Sequence, residues 1–232
     1  RKVLKTDMYN DKPDSGEVNK LFELIKKKPE ISSFITTAES NPENIGIILE
    51  IIRNDKGNTK FYCDKVIRQI SEINPSLVYP YFDDIAQLIH SGNNFIKWGA
   101  ITVISNLITV DKEKRFEKIR DGYFDLINSD SMITAANVVT NAWKFVQACP
   151  EIENDITARM IKVAENTYLH KGNPSPECRN ILIGHVIEGF DKYFKVSGNK
   201  SMILEFVGSQ KNNGRNSTAK KAAAFLKKYG NQ

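Results

Sequence analysis

Three carboxamide side chains recur at a regular interval in this sequence. Gln69, Asn106 and Asn141 are separated by 37 and 35 residues. A carboxamide carries two N–H donors and an acceptor oxygen, so a row of carboxamides can hydrogen-bond the backbone of an extended peptide whatever its side chains are. The spacing therefore predicts a peptide-binding row, provided that the three residues occupy equivalent places in successive structural units.

Basic residues occur in two further groups that suggest a charged partner. Lys65 and Arg68 directly precede Gln69, and Arg179 lies in a later segment, which favours an acidic peptide or protein. After Glu205 the sequence has no further acid, and a candidate anion-binding group follows: Arg215, Lys220, Lys221, Lys227 and Lys228. Such a group attracts polyanions, including nucleic acid, although lysines near a chain end also serve simply to increase solubility.

Catalytic and metal-binding patterns are absent from the sequence. Cys178 and His185 are seven residues apart, but a zinc site needs about four converging ligands. His185 also falls on the apolar stripe of its predicted helix, where we expect a buried histidine. Neither a phosphate-binding loop, nor His-Glu-x-x-His, nor Cys-x-x-Cys occurs. We therefore expect a non-catalytic protein with no cofactor and no metal.

The composition is that of an ordinary globular protein. The chain has 232 residues, 41% of them hydrophobic, and a net charge of +5, which is too small to require nucleic acid as a partner. The longest apolar runs fall far short of the roughly 20 residues that cross a bilayer, so no membrane partner is expected. The three widely separated cysteines favour a cytoplasmic location.

Internal repetition is the strongest signal in the sequence. A small residue followed by mostly apolar positions at +3, +4 and +7 recurs five times, at intervals of 37, 35, 43 and 41 residues. The five sets are Cys63-Val66-Ile67-Ile70, Ala100-Val103-Ile104-Leu107, Ala135-Val138-Val139-Ala142, Cys178-Ile181-Leu182-His185 and Ala219-Ala222-Ala223-Leu226. Each set predicts an amphipathic helix whose small residue lies at a close helix contact.

A second apolar stripe precedes each of these helices, so each repeat is predicted as two antiparallel helices. Asn41-Pro42 and Ser175-Pro176 have the residue types of helix starts, and Asn74-Pro75 and Cys149-Pro150 mark junctions between repeats. We expect a disordered lead over residues 1–13 and a single solenoid domain over 14–232. Its predicted helix pairs are 14–41, 42–74, 75–111, 112–150, 151–196 and 197–232.

These helix pairs of about 40 residues resemble HEAT and armadillo repeats, which implies an all-α superhelix of five to six pairs. The resemblance further implies that the second helix of each pair lines a concave groove with its +1, +2, +5 and +6 positions. The carboxamides occupy +6, and other groove positions are Ile101, Ser105, Asn137, Ile183 and Phe225. Ile104-Ser105-Asn106-Leu107 is similar to the asparagine-bearing helix with which armadillo repeats clamp a peptide backbone.

The sequence thus predicts a non-catalytic scaffold that binds a protein segment in its groove. The predicted contact residues are Gln69, Asn106, Asn137, Asn141, Trp98, Lys65, Arg68 and Arg179. The alternative is that these residues are solvated surface and that Trp98 and Trp143 belong to the core. A nucleic-acid-binding or DNA-repair protein is the competing function, because HEAT-like DNA glycosylases have similar lengths. However, the aromatic and acidic pocket of those enzymes has no match here.

Overall fold

A computed structural model of the chain describes residues 15–230; the predicted disordered lead, residues 1–13, lies outside this range. The helices are α1 Ser15–Lys26, α2 Ile31–Ser40, α3 Glu43–Asn54, α4 Thr59–Ile73, α5 Pro75–Val78, α6 Phe82–Leu88, α7 Asn94–Leu107, α8 Arg120–Asp125, α9 Met132–Ala148, α10 Glu153–Ile161, α11 Pro176–Tyr193, α12 Lys200–Ser209 and α13 Asn216–Tyr229. No helix in the described range is long and apolar enough to cross a membrane.

The helices form two layers, as an α-solenoid requires. The second helices of successive repeats, α4, α7, α9, α11 and α13, pack side by side in chain order and form a continuous second-helix layer. The first helices α3, α6 and α12 each pack on the second helix of their own repeat and form an outer layer; in the fifth repeat α10 packs on α9, and the 3-10 turn Lys162–Ala164 contacts α11. Because each element contacts mainly its neighbours, the stack is built repeat by repeat.

The outer layer is less regular than the predicted pairs of continuous helices. In the third repeat a 3-10 turn at Tyr79–Tyr81 separates α5 from α6, and in the fourth repeat 3-10 turns at Arg115–Lys118 and Leu126–Asn128 flank α8. Pro80 has no N–H to donate, so it cannot continue the backbone hydrogen bonding of α5. Asp111 accepts hydrogen bonds from the backbone N–H groups of residues 115 and 116, both at 2.9 Å, which competes with helix formation there.

The predicted apolar sets are buried in the second, third and fourth repeats. Every member of the sets beginning at Cys63, Ala100 and Ala135 is at most 3% exposed, so the predicted register of these helices is confirmed. The register is wrong near the C-terminus: Ile181 and His185 are half-buried and Ala223 is exposed. In α13 the larger rings of Phe225 and Tyr229 occupy the core instead, because they bury more apolar area than the alanines do.

The helix positions that the resemblance places in the groove are less exposed than predicted. Ile101, Ser105, Ile183 and Phe225, all predicted to face the groove, are buried. The reason is that a helix in the middle of the stack is covered by two neighbouring second helices and by its own outer helix. Consequently more than one stripe of each second helix lies inside the core.

A short hairpin interrupts the fifth repeat. Strands β1 (Leu169–His170) and β2 (Asn173–Pro174) pair antiparallel, with Leu169 opposite Pro174. The turn between them places Lys171 at φ 51° and Gly172 at φ 80°. The Leu169 N–H donates to the carbonyl of Asp130 at 2.9 Å, so the hairpin ties the fifth repeat to the fourth.

Overpacking tests the register of the second-helix layer. Ala100 is 3% exposed at a helix contact, whereas Ala223 is exposed on α13. We expect Ala100→Trp to lower the free energy of unfolding by about 1 to 3 kcal/mol, because the ring has no space. Ala223→Trp is the matched control and should change it by less than about 0.5 kcal/mol. Urea unfolding followed by circular dichroism measures both, and equal effects would contradict the packing described.

Candidate functional site

A cavity with aromatic walls opens on the exposed side of the second-helix layer, between α4, α7 and α9. Its volume is about 480 Å³, and its lining is Phe61, Asp64, Arg68, Phe95, Trp98, Gly99, Thr102 and Asn137. We call it the aromatic cavity. It contains Trp98, Arg68 and Asn137 from the predicted contact residues and adds two phenylalanines that the sequence analysis did not select.

The three rings of the aromatic cavity are held against one another. Phe95 packs edge-on against Phe61 and Trp98, with ring centroids 5.7 Å and 5.3 Å away. The Trp98 indole N–H donates to the Thr134 hydroxyl at 3.0 Å, which fixes the orientation of the indole. Phe95 is nevertheless 64% exposed, so a large apolar surface beside the cavity remains open to a partner.

A nearly buried carboxylate forms another wall of the aromatic cavity. Asp64 is 8% exposed and accepts a hydrogen bond from the Arg68 Nε at 2.9 Å. Burial raises the pKa of Asp64 to about 6, although Arg68 opposes the shift. Gly99 makes room for this carboxylate, because a Cβ at residue 99 would lie 1.7 Å from the Asp64 Oδ1.

Lys144 joins two of the predicted carboxamides on the side of α7 and α9 that lies toward the C-terminal ends of these helices. The Lys144 Nζ donates to the Asn106 Oδ1 at 2.6 Å and to the Asn141 Oδ1 at 2.9 Å. The Asn106 amide donates to the Ser71 hydroxyl at 2.9 Å, and the Asn141 amide donates to the Asn137 carbonyl at 2.8 Å. Asn106 and Asn141 thus come together as predicted, but both side chains are already engaged within the protein.

The other predicted contact residues lie apart from this pair. Gln69 and Lys65 are exposed on α4, and Gln69 has no side-chain hydrogen bond within the described part of the chain. Asn137 lines the aromatic cavity and donates its amide to the Ile133 carbonyl at 2.9 Å. Arg179 is half-buried on α11. A continuous row of three free carboxamides is therefore not formed.

A second cleft, of about 840 Å³, lies at the C-terminal ends of α4, α7 and α9. We call it the polar cleft. Asn106, Trp143, Lys144 and Gln147 contribute to its walls, and Cys149 lines it as well. Trp143 is half-buried, and the Nζ atoms of Lys144 and Lys192 lie 5.9 Å and 5.1 Å from the centroid of its indole. These distances are within the range of cation–π attraction.

The basic group on α13 is largely paired with acids of the preceding repeat. Three ion pairs join α13 and the residue before it to α11: Arg215 with Glu177, Lys221 with Glu188 at 2.7 Å, and Lys228 with Asp191 at 2.8 Å. Of the five candidate anion-binding residues, Lys220 and Lys227 have no ion pair to another described residue. The positive field of this face is thus weaker than the sequence of the C-terminal segment suggests.

The predicted core position of His185 is wrong. Its side chain is 37% exposed, and its Nδ1 lies 3.3 Å from the Glu188 carboxylate. Residues 15–230 contain no group of three or more histidine, cysteine or acidic side chains arranged to hold a metal ion.

The fold is shared with solved repeat proteins. The designed armadillo repeat protein YIII(Dq)4CqI aligns with a TM-score of 0.52 and 13% sequence identity, over 94% of this chain and 95% of that one. The designed armadillo repeat protein YIII(Dq.V1)4CPAF, solved in complex with the peptide (KR)4, aligns with a TM-score of 0.50 and 12% identity over the same shares. The chain has an armadillo-like solenoid fold. No protein-family model and no curated protein matches its sequence.

The sequence contains a signal for Phe61 and Phe95, the two aromatic residues of the cavity that the sequence analysis did not select. Phe61, Asp64 and Arg68 have the same spacing as Phe95, Trp98 and Thr102, namely three and then four residues. Each set lies on one face of its helix, and both faces line the aromatic cavity. This repeated spacing could have indicated the site. It was missed because the predicted register counts from the small residues Cys63 and Ala100, which belong to neither set.

Asp64 should make the stability of this armadillo-like solenoid depend on pH. Its pKa rises from 3.8 when unfolded to about 6 when folded. The stabilising effect is therefore complete below pH 3.8 and is lost as the pH rises through about 6. Between about pH 4 and pH 7 we expect the wild type to lose about 2 kcal/mol of unfolding free energy relative to Asp64→Asn. Parallel urea titrations at both pH values measure this difference, and parallel pH profiles would contradict it.

Gly99 should be required only while Asp64 is present. We expect Gly99→Ala to cost about 1 to 3 kcal/mol of unfolding free energy, because the new methyl displaces the carboxylate. In an Asp64→Ala background the cost should disappear, and alanine should add up to about 1 kcal/mol through its helix propensity. Gly208→Ala in α12, where a Cβ meets nothing within 4 Å, is the control. An equal cost in both backgrounds would refute the contact.

Proposed function

We propose that this protein is a non-catalytic scaffold that binds a segment of a partner protein along its second-helix face, anchored in the aromatic cavity. The observation that carries the proposal is the aromatic trio at a cavity of about 480 Å³, in which Phe95 is 64% exposed and packs against the half-buried Phe61 and Trp98. A cavity of this size accepts an apolar side chain of a partner. Partly exposed aromatic residues of this kind often supply most of the binding energy of an interface.

Polar groups at the aromatic cavity favour a peptide over a purely apolar ligand. The Asn137 Oδ1 accepts no hydrogen bond from another described residue, so it is available to a backbone N–H of the partner. Arg68, with 42% of its side chain exposed, also lines the cavity. We infer that the segment carries an apolar anchor residue together with acidic residues that meet Arg68 and Lys65.

The peptide-bound designed neighbour supports a repeat scaffold only in general terms. Its ligand, (KR)4, is basic and belongs to that protein. In the present chain the acceptor oxygens of Asn106 and Asn141 are bound to Lys144, so these two residues need rearrangement before they contact a peptide backbone. Gln69 and Asn137 are the carboxamides that we propose contact the partner directly.

Nucleic-acid binding receives less support from the described charges. Three of the five basic residues proposed for it are neutralised by α11, and protein–nucleic acid affinity depends on unpaired cations that replace counterions. Lys220 and Lys227 alone provide a small surface. We therefore retain peptide binding as the proposed function.

Peptide selection tests the anchor. We would pan a phage-displayed library of random 16-residue peptides against the purified protein and measure the affinity of enriched peptides by fluorescence anisotropy. Phe95→Ala and Trp98→Ala should each weaken binding by about tenfold or more, because they remove the walls of the aromatic cavity. Ile73→Ala is the matched control, since Ile73 is equally exposed at 64% but lies outside the cavity lining.

Two results would contradict the proposed function. One is enrichment of peptides whose affinity is lowered by Ile73→Ala as much as by Phe95→Ala. The other is tight binding of labelled single- or double-stranded DNA or RNA that falls steeply between about 50 and 200 mM salt and is lost in a Lys220→Ala, Lys227→Ala variant. The second outcome would transfer the function to the basic residues of α13.

A further inference from the structure

Neutral oxygens surround the ammonium group of Lys144. Its Nζ lies 2.6 Å from the Asn106 Oδ1, 2.9 Å from the Asn141 Oδ1 and 3.3 Å from the Ser105 hydroxyl. Among residues 15–230 no carboxylate forms an ion pair with it. A half-buried charge is usually paired with an opposite charge, whereas the hydrogen-bond acceptors of Lys144 are all neutral, and Glu72 of the same cleft favours its charge only from beyond ion-pair distance.

The acceptors around Lys144 are themselves fixed in place. The Asn106 amide is bound to the Ser71 hydroxyl on α4, and the Asn141 amide is bound to the backbone of its own helix. Each carboxamide oxygen is thereby directed at the ammonium group. Lys144 is consequently held in one position before any ligand arrives, which lowers the entropy cost of binding.

A second cation lies beside Lys144. The Nζ atoms of Lys144 and Lys192 both approach the Trp143 indole. Burial lowers the pKa of Lys144; Glu72 opposes this effect and the positive charge of Lys192 adds to it. Lys192 is exposed and also lacks an ion pair within the described range. An anion bound near the indole would relieve the repulsion between the two lysines.

The polar cleft also contains one donor without a hydrogen-bond partner. The Arg120 Nε is buried without a hydrogen-bond partner, the only such side-chain atom within the described residues, although it lies 3.6 Å from the Asp121 carboxylate. Arg120 and Lys144 both line the cleft. Asp111, an acid of the same cleft, already accepts from the Tyr79 hydroxyl at 2.6 Å and from two backbone N–H groups. It is therefore occupied. Glu72, Glu117 and Glu151 also line the cleft, but none of them forms an ion pair with Lys144 or Arg120.

We propose that the polar cleft binds a carboxylate of an acidic partner segment, with Lys144 as the central donor, Arg120 as a second charge of the cleft, and Lys192, which lies outside its lining beside Trp143, as a supporting charge. The inference rests on the proposed function, because the segment must lie on the second-helix face. The carboxylate takes the Lys144 donor that now points at Ser105, which is the longest of its three contacts. Ser105 retains its own bond to the Thr102 carbonyl at 2.6 Å.

Two labelled octapeptides of opposite charge test this site. Fluorescein-labelled (Asp-Glu)4 and (Lys-Arg)4 would be titrated against the full chain at constant ionic strength. We expect (Asp-Glu)4 to bind at least about tenfold more tightly than (Lys-Arg)4, and Lys144→Met to remove about tenfold or more of that affinity. Lys192→Met should weaken (Asp-Glu)4 about threefold.

The control for lost charge is Lys195→Met, which removes an exposed lysine just beyond the end of α11 and should leave the affinity unchanged. The Lys192 and Lys195 variants keep the test decisive if Lys144→Met does not fold. Equal losses in these two variants, or tighter binding of (Lys-Arg)4, would overturn the carboxylate site. A competition experiment tests the chemical class of the anion. If oligothymidylate displaces labelled (Asp-Glu)4 at a lower concentration than unlabelled (Asp-Glu)4 does, the cleft prefers phosphate and the carboxylate site is wrong.

The two proposals fail in different ways. If (Asp-Glu)4 does not bind while selected peptides still depend on Phe95 and Trp98, the carboxylate site is wrong and the aromatic anchor stands. If neither the selected peptides nor (Asp-Glu)4 binds at these residues, both the carboxylate site and the proposed function are wrong.

Discussion

The close approach of successive second helices is the constraint on which the rest of the structure depends. Small residues occupy the contacts: a Cβ at residue 189 would lie 3.4 Å from the Val139 carbonyl oxygen on α9, and one at residue 184 would lie 3.0 Å from the Thr218 hydroxyl on α13. Larger side chains at these positions would separate the helices. Close packing is also what allows Asn106 to reach Ser71 and Lys144 to reach Asn106, so the polar contacts across repeats are a result of the backbone arrangement.

Because the second helices run side by side, their two ends carry different chemistry. The starts of α4 and α7 bring Phe61, Phe95 and Trp98 together, whereas their ends meet Lys144 at α9. The charge is likewise organised between repeats, since acids of α11 face bases of α13. The surface is therefore apolar and aromatic at one end of these helices and polar and charged at the other.

The sequence predicted those features that depend on periodicity within one helix. Sets such as Ala100-Val103-Ile104-Leu107 are buried because their spacing defines a single core-facing stripe. It did not predict contacts between repeats, since nothing local in the sequence shows that Glu188 pairs with Lys221 or that Lys144 binds Asn106. The broken outer helices also escaped, because they depend on Pro80 and on the side-chain bonds of Asp111. His185 was misplaced because the apolar stripe shifts within α11.

The polar cleft also has a consequence for the thiol chemistry of the protein. Cys63 is fully buried, with a pKa raised by burial to about 12, and Cys178 is buried as well. Cys149 is only half-buried and lines the cleft, although burial raises its pKa and so lowers the fraction present as thiolate. A maleimide dye in moderate excess thus modifies Cys149 before the other two. The native protein, without engineered cysteines, therefore provides a single attachment point for a fluorophore at the wall of the cleft.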